Sequence, residues 1–272
     1  MLDIIEVGDH YYVRAQSSFV DHQTKVLMSG DIFGVFDRHG DFRRLVSTEQ
    51  GLFYREMRHL SRLVLRLKEG PLQLLSSSIQ LDNAVLAVDL TNGEMPVSGS
   101  KHLPRGTLHF YRSNFLWRNS CYQRLEVSNY ALEPIAVDLI LEFEADFADI
   151  FEVRGVPRNR RGQMLEPRVG ESSVDLGYLG LDGLKRETRV ELSRPPSAIT
   201  AQQMEVPIRL APGEQTNLTI HLQCKTGDET VGFATGQEAA DQLAVRGSDI
   251  AKVEIDTSTS NSTIGSIALW LI

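Results

Sequence analysis

The sequence predicts a mainly β protein: a large antiparallel β-sandwich of the super-sandwich kind, followed by a short C-terminal helix and linker. Two observations lead to this fold class. Apolar and polar residues alternate along most of the chain, which is the period of a strand that buries one face. Alternating segments also follow one another without long helical patterns between them, which favours antiparallel sheets over βαβ units.

The alternation is clearest in three segments: Arg62–Lys68, Cys121–Asn129 and Ile135–Phe143. Each places its larger apolar side chains on one face and mostly polar side chains on the other. In the third segment, Leu139 and Leu141 are expected to point inward. A hydrophobic face this regular needs a second sheet to cover it, which predicts a sandwich.

Further strands are predicted where alternating segments lie between turn residues, at Ala84–Leu90, Leu108–Phe115, Lys185–Leu192, Met204–Leu210 and Asn217–Cys224. Pro212 and Gly213 separate the last two, and Ile208–Leu222 is therefore expected to form an antiparallel hairpin. Helix-forming residues are concentrated in Gln237–Arg246, and Gly247 follows as a helix stop.

These patterns divide the chain into a β-sandwich domain at residues 1–232 and a second segment at residues 233–272. The second segment holds the predicted helix, the polar stretch Asp256–Thr263 and the almost entirely apolar Ile264–Ile272. Because an exposed apolar tail promotes association, we expect the chain to self-associate through it. We interpret this segment as a helical linker and the truncated start of a missing catalytic domain. The alternative is a terminal strand of the sandwich.

Composition and charge narrow the classes of function. The chain carries a formal net charge of −8 and shows no basic face, which argues against nucleic-acid binding. No run of about 18 apolar residues exists, so we expect no membrane span. The first residues lack a basic stretch followed by an apolar core, and we expect a cytoplasmic protein. Cys121 and Cys224 fit no metal motif and are expected to be buried thiols.

The sequence contains no motif for catalysis or for a cofactor. Nucleophile elbows, histidine pairs at metal-ligand spacing and glycine-rich phosphate loops are all absent, so we expect no metal and no cofactor. Glycoside hydrolysis needs paired carboxyl groups, and one dense acidic patch exists, at Glu142, Glu144, Asp146, Asp149 and Glu152. The favoured interpretation is structural, with these carboxylates facing solvent and pairing with Arg154 and Arg158.

Several segments of the chain, taken in order, carry a family resemblance. They are Asp37–Gly40 (DRHG), Gly51–Ser61 (GLFYREMRHLS), Leu74–Ser78 (LLSSS), Asn114–Asn129, Asp146–Gly155 (DFADIFEVRG) and Tyr178–Gly183 (YLGLDG). Together they resemble the N-terminal domain of bacterial and archaeal glycogen debranching enzyme-like proteins of the amylo-α-1,6-glucosidase type, and DFADIFEVRG is the most specific of them. In one departure, Glu56-Met57-Arg58 stands where the family shows Asp-Thr-Arg, so that Met57 replaces a hydroxyl.

The resemblance implies a non-catalytic accessory domain that packs on an α/α-barrel catalytic domain and helps to shape an α-glucan site. The catalytic acid and base would then lie in the barrel, and no residue of this chain inherits a catalytic role. Residues predicted to contact glucan are Tyr54, Arg58, Glu152, Arg154 and Tyr178; their structural alternatives are core aromatics and internal salt bridges. Two other hypotheses stay open: a free-standing carbohydrate-binding or protein-interaction module, and an enzyme that uses the acidic patch.

Overall fold

The computed structural model describes residues 4–7, 10–13, 24–43, 49–80, 84–96 and 102–228 of the chain. These residues form twenty strands and one short helix: β1 (Ile4–Val7), β2 (His10–Val13), β3 (Lys25–Ser29), β4 (Ile32–Phe36), β5 (Gly51–Tyr54), β6 (Met57–Leu60), β7 (Arg62–Leu67), β8 (Leu72–Gln80), β9 (Val85–Asn92), β10 (Met95–Pro96), β11 (His102–Leu103), β12 (Leu108–Trp117), β13 (Ser120–Asn129), β14 (Ile135–Glu144), α1 (Ile150–Val153), β15 (Gln163–Val169), β16 (Ser173–Leu179), β17 (Lys185–Leu192), β18 (Ala198–Ile199), β19 (Gln203–Leu210) and β20 (Gln215–Thr226).

The fold is the predicted large antiparallel β-sandwich. An eight-stranded sheet has the order β15-β16-β17-β20-β13-β12-β9-β8, and two four-stranded sheets have the orders β18-β19-β14-β7 and β3-β4-β5-β6. Every strand pair is antiparallel. Two two-stranded sheets, β1-β2 and β10-β11, complete the described part of the chain. A single apolar core draws buried side chains from all three larger sheets.

Burial confirms the alternation predicted from the sequence. In β14, Ile135, Val137, Leu139, Leu141 and Phe143 all belong to the core, and so do the three leucines predicted to point inward from β7. Both cysteines are free and buried, as expected. The strand bounds predicted for β17 match the structure. The strands β12, β19 and β20 extend further than predicted, and β9 begins one residue later and ends two residues later than predicted.

The predicted hairpin at Ile208–Leu222 is wrong. The strand before the turn, β19, pairs with β14 in a four-stranded sheet, whereas β20 pairs with β13 and β17 in the eight-stranded sheet. The chain therefore crosses from one layer of the sandwich to the other at Pro212 and Gly213. Each strand buries one face in the core between the layers, so the alternation is the same for a hairpin and for this crossing.

The side chain of one buried asparagine, Asn129, forms hydrogen bonds to the backbone near this crossing. The Asn129 side-chain amide donates to the carbonyl oxygens of Glu133, Leu210 and Ala211 at 3.0–3.2 Å. Its side-chain oxygen accepts from the Ala131 backbone N–H at 2.8 Å. The same side chain thus joins the β13–β14 turn to the end of β19 and gives backbone groups at both places a hydrogen-bond partner.

The DRHG segment, Asp37–Gly40, ties the sheet formed by β3–β6 to the eight-stranded sheet. The Asp37 carboxylate accepts the backbone N–H groups of His39 and Asp41, which closes the turn. The Asp41 carboxylate accepts from the Arg112 guanidinium at 2.6 Å, and Arg112 also donates to the Gln123 side chain at 2.8 Å. Asp41 and Arg112 are both fully buried, so their charges are compensated inside the sandwich.

The chain divides into two compact units, Met1–Val231 and Gly232–Ile272. The second unit lies outside the described residues. The helix predicted at Gln237–Arg246, the linker and the apolar tail therefore stay predictions, as does self-association through that tail. Among the described helices, none is long and apolar enough to span a membrane.

Candidate functional site

The β5–β6 hairpin turns through two residues in a conformation that side chains rarely adopt. Arg55 and Glu56 have φ of 47° and 64°. Two successive positive φ angles match the right-handed twist of a hairpin, and asparagine and glycine usually supply them. An arginine and a glutamate in these positions store backbone strain, which persists only where the surrounding structure enforces it.

The segment Asp146–Gly155, which carries the most specific part of the resemblance, packs directly on this hairpin. The Arg58 backbone N–H donates to the Ala148 carbonyl at 2.8 Å, and the Ile150 N–H donates to the Glu56 carbonyl at 3.0 Å. Asp149 caps α1, because its carboxylate accepts the N–H groups of the second and third residues that follow it. The segment therefore extends the backbone pairing of β6 before it turns into α1.

A row of aromatic rings supports the segment from inside. Tyr54 contacts His59 edge to face at 5.8 Å between ring centroids, and His59 contacts Phe147 in the same way at 5.4 Å. Phe147 then stacks on Tyr178 at 5.5 Å. Phe147 is buried and has a φ of 46°, a second point of strain at this place. Burial lowers the pKa of His59 to about 3, so that it is neutral at physiological pH.

Arginine–carboxylate pairs fix the segment along its whole length. Arg58 binds Asp146 through two hydrogen bonds, Nε–Oδ1 at 3.1 Å and Nη2–Oδ2 at 2.5 Å. Arg158 binds Asp149 in the same two-pronged way at 2.8 and 2.7 Å. The hydrogen bonds from Arg158, together with the backbone N–H groups at the start of α1, hold the pKa of Asp149 below its usual value. Arg161 pairs with Glu152 and also donates to the Asp146 backbone carbonyl.

All five carboxylates of the acidic patch have arginine partners, which agrees with the structural interpretation. Two of them, Glu142 and Glu144, lie on β14 and pair with arginines of β7. Of the two arginines predicted to pair with the patch, Arg158 does so, through Asp149. Arg154 does not, since its partner is Glu49, at 3.8 Å between Nε and Oε1. Within the described ranges, no three His, Cys, Asp or Glu side chains come together as a metal site.

The five residues predicted to contact glucan lie in one region but at different depths. Tyr54, Arg58 and Tyr178 are buried, and their polar or aromatic groups contact other residues of the chain. The Tyr178 hydroxyl accepts from the Gly162 backbone N–H at 2.6 Å. Glu152 is partly exposed, and Arg154 is exposed over 58% of its side chain. Of the five predicted residues, three are therefore buried and contact other parts of the chain, and two lie at the surface.

Several apolar side chains on α1 and on the elements that follow it in the chain are exposed. Those on α1, on the loop after it, and on β15, β16 and the turn that follows are Phe151, Val156, Met164, Val169, Leu179, Leu181 and Leu184. Phe151 is the most informative, because 56% of it is exposed although it lies in a segment that is otherwise tightly paired. The strand β15 is also an edge of the eight-stranded sheet, since it pairs with β16 alone.

A second polar region, which sequence reasoning missed, lies on the face of the eight-stranded sheet that points away from the core. We call it the outer face. A row of side chains crosses it on β15, β16, β17, β20 and β13: Arg168, Asp175, Arg189, Gln223 and Ser120. The alternation of β17 and β20 places Arg189 and Gln223 on the polar side of their strands. No local motif indicates that these strands are neighbours.

Fold and site together define the class of protein: a large antiparallel β-sandwich domain with an ion-paired helical segment held on one of its sheets. The chain belongs to the family of N-terminal domains of some glycogen debranching enzymes, whose model matches residues 27–221. This match confirms the resemblance inferred from the sequence. No curated protein sequence matches the chain.

Solved structures give more distant similarities. A protein described as a kojibiose phosphorylase from the human microbiome matches with a TM-score of 0.47 and 10% identity, over 90% of this chain and 34% of that one. A protein described as an aldose 1-epimerase from Escherichia coli K12 matches with a TM-score of 0.38 and 12% identity, over 74% and 98% of the two chains. A galactose mutarotase-like protein from Lactobacillus casei matches with a TM-score of 0.40 and 6% identity, over 74% and 100%. This chain thus spans about a third of the phosphorylase.

Proposed function

We propose that this chain is the accessory domain of a cytoplasmic glycogen debranching enzyme of the amylo-α-1,6-glucosidase type. In this proposal it packs on an α/α-barrel catalytic domain and shapes one side of the α-glucan site. The observation that carries the proposal is the surface formed by α1 and its neighbours, where apolar side chains are exposed on a segment that arginine–carboxylate pairs and backbone hydrogen bonds hold in place.

Rigidity and exposure together distinguish this surface from an ordinary loop. A free loop of this length would carry polar residues and few tertiary bonds. Here Phe151 and Val156 are exposed although the flanking Asp146 and Asp149 are each held by an arginine. An ordered apolar surface next to charged residues is typical of a site where a second domain packs.

The predicted glucan contacts divide into two roles. Glu152 and Arg154 present charged, hydrogen-bonding groups at the surface, and we propose that they face the sugar. Beneath them, Arg58 and Tyr178 act as positioning residues, because Arg58 holds Asp146 and Tyr178 holds the backbone of Gly162. Few well-placed polar groups on a rigid frame are the usual means of orienting a neutral sugar.

The test is association with the catalytic domain, produced as a separate polypeptide and titrated with this chain in a calorimeter. Phe151→Ser is expected to weaken association at least tenfold, which is about 1.4 kcal/mol. The matched control is Leu132→Ser, which changes an exposed leucine in the β13–β14 turn. Equal affinity of wild type and Phe151→Ser would refute the proposed packing surface.

A second measurement addresses catalysis. The purified chain alone is expected to release no glucose from branched or linear α-glucans, because the proposal places the acid and base in the other domain. Activity that disappears in the variants Glu144→Gln or Asp149→Asn would overturn the accessory role and favour the acidic-patch enzyme.

A further inference from the structure

The two edges of the four-stranded sheet β3-β4-β5-β6 differ. The edge at β6 is covered, because backbone hydrogen bonds join it to the segment Asp146–Gly155. At the other edge, β3 pairs with β4 alone among the described strands. Proteins usually protect a free edge with proline, a bulge or charged side chains, since its unpaired backbone groups can bind another strand. Residues 26–28, at the centre of β3, have none of these protections.

Two apolar side chains are exposed on this strand. Val26 is 50% exposed and Met28 is 74% exposed, whereas Leu27 between them is buried in the core. Of the large apolar side chains on β3 to β20, that of Met28 is the most exposed. Met28 lies opposite Phe33 on β4, and Phe33 stacks on Phe53 at 4.5 Å between ring centroids. The exposed side chains therefore stand on an ordered sheet. We call the free side of β3, with these two side chains, the β3 edge.

The backbone of the same two residues is available for hydrogen bonds. A two-residue turn joins β3 to β4, with Gly30 at a φ of 61° in its first position, and Ser29 lies opposite the first residue of β4. The pair that closes such a turn is hydrogen-bonded, and bonded and non-bonded pairs alternate along the strands. Leu27 therefore bonds to β4, while the N–H and C=O groups of Val26 and Met28 point away from it.

A second copy of β3 is complementary to this edge when the two strands run antiparallel with Leu27 opposite Leu27. Val26 of each copy then lies opposite Met28 of the other, so the exposed side chains contact in two pairs on one face. The outward-pointing backbone groups of these residues form four hydrogen bonds in the same register. The edge is therefore self-complementary in its side chains and in its backbone.

The charges at the ends of β3 agree with this register. Lys25 is the one charged residue of the strand, and it lies opposite Ser29 of the second copy, two residues from Asp31 of that copy. The Asp31 side chain is 70% exposed. Opposite charges are thus near each other at both ends of the pair, and no like charges lie opposite each other.

We propose that the β3 edge binds a second copy of this chain, in an antiparallel pair centred on Leu27 that joins the two β3–β6 sheets into one sheet of eight strands. This interface uses no residue of the α1 surface and does not depend on the accessory role proposed above. A standard protein interface buries about 1,600 Å². A pair of five-residue strands buries less, so the dimer is weak and forms at high protein concentration.

The experiment is sedimentation equilibrium of the full 272-residue chain from about 10 µM to about 1 mM. The wild-type chain is expected to dimerise within this range. Met28→Lys is expected to raise the dissociation constant of the dimer at least about tenfold, because a lysine on a free edge opposes strand pairing. The matched control is Leu132→Lys, which makes the same change of charge at a 95% exposed leucine in the β13–β14 turn and is expected to leave the constant unchanged.

A second measurement tests the register. Carbodiimide coupling followed by mass spectrometry is expected to join the Lys25 amine to the Asp31 carboxylate. In one copy these residues are separated by the whole of β3, more than about 13 Å, so the bond forms only between copies. A mixture of unlabelled and isotope-labelled chain identifies the joined peptides as intermolecular. Association through the segment Ile264–Ile272 does not produce this bond and is equal in wild type and both variants.

The thermal midpoint of Met28→Lys is expected to equal that of wild type, because the side chain is exposed in one copy. A chain that stays monomeric over the whole range would overturn the proposal. So would equal dissociation constants in wild type and Met28→Lys, an equal loss in Leu132→Lys, or the absence of the Lys25–Asp31 bond from the dimer.

Discussion

Replacing Arg58 by methionine is expected to reduce the free energy of unfolding by about 3–5 kcal/mol, because it leaves Asp146 as a poorly solvated charge without its partner. The magnitude follows from the burial of the pair. The Arg58 and Asp146 side chains are 11% and 16% exposed, and the substitution removes both hydrogen bonds between them. It also removes a bond from Arg58 to the Gln50 carbonyl at 3.3 Å.

The same segment offers a matched control in Arg158→Met. Arg158 binds Asp149 with the same two-pronged geometry, but these side chains are 37% and 30% exposed. Solvent screens an exposed pair, so this substitution is expected to cost only a small fraction of the loss at Arg58. Urea unfolding followed by circular dichroism measures both variants under identical conditions.

The double variant Arg58→Met/Asp146→Asn completes a thermodynamic cycle. Removing both charges is expected to recover part of the loss seen in Arg58→Met, since no uncompensated carboxylate is then left. Equal losses in Arg58→Met and Arg158→Met would refute the argument from burial. Strict additivity in the cycle would show that the two side chains do not interact energetically.

Three further predictions concern stability. Leu141→Ala is expected to destabilise the chain by about 2–5 kcal/mol in urea unfolding, and Asp138→Ala by under about 0.5 kcal/mol; equal costs would mean that the strand register is wrong. In the folded chain the pKa of His59 is lowered to about 3 and that of His221 to about 4. Both neutral histidines therefore support the full stability of the chain above pH 6.5, and the chain is expected to lose stability as the pH falls towards 4. Each histidine is expected to lower the free energy of unfolding by about 2 kcal/mol by pH 5, and an unchanged free energy of unfolding between pH 7 and pH 5 would contradict this. Asn129→Ala is expected to lower stability by about 2–4 kcal/mol, because it removes four hydrogen bonds between this side chain and the backbone, and a thermal midpoint equal to wild type would exclude the role given to this side chain.

The fold class could be predicted because strand alternation is a local property. Leu139 and Leu141 point into the core because the period of a strand is two, whichever strands lie beside it. Pairing between strands is not local. The segment Ile208–Leu222 carries the same alternation in a hairpin as in a crossing between layers. What distinguishes the two is the partner of each strand, and those partners, β14 for β19 and β13 and β17 for β20, are set outside the segment.

The candidate site was only partly predictable for a similar reason. The residues Arg58 and Tyr178 were found through the family resemblance, but the sequence cannot tell whether an arginine is exposed or buried against a carboxylate 88 residues away. Nothing in the sequence predicts the row of polar side chains on the outer face. The row depends on the order of β15, β16, β17, β20 and β13, and Arg189 and Gln223 become neighbours only through that order.

The backbone strain indicates why the segment Asp146–Gly155 is built as it is. Among the described residues other than glycine, four have positive φ, and three of them, Arg55, Glu56 and Phe147, lie in or directly under this segment. Local preference would place glycine or asparagine there. Strained conformations persist where neighbouring bonds enforce them, and here the backbone bonds to Ala148 and Glu56 and the Arg58 pair supply that enforcement. Sequences violate local rules mainly where function requires a fixed geometry. The same segment carries the most specific family motif and the exposed apolar surface, so the strain, the ion pairs and the exposure all lie where the proposed packing surface requires a fixed geometry.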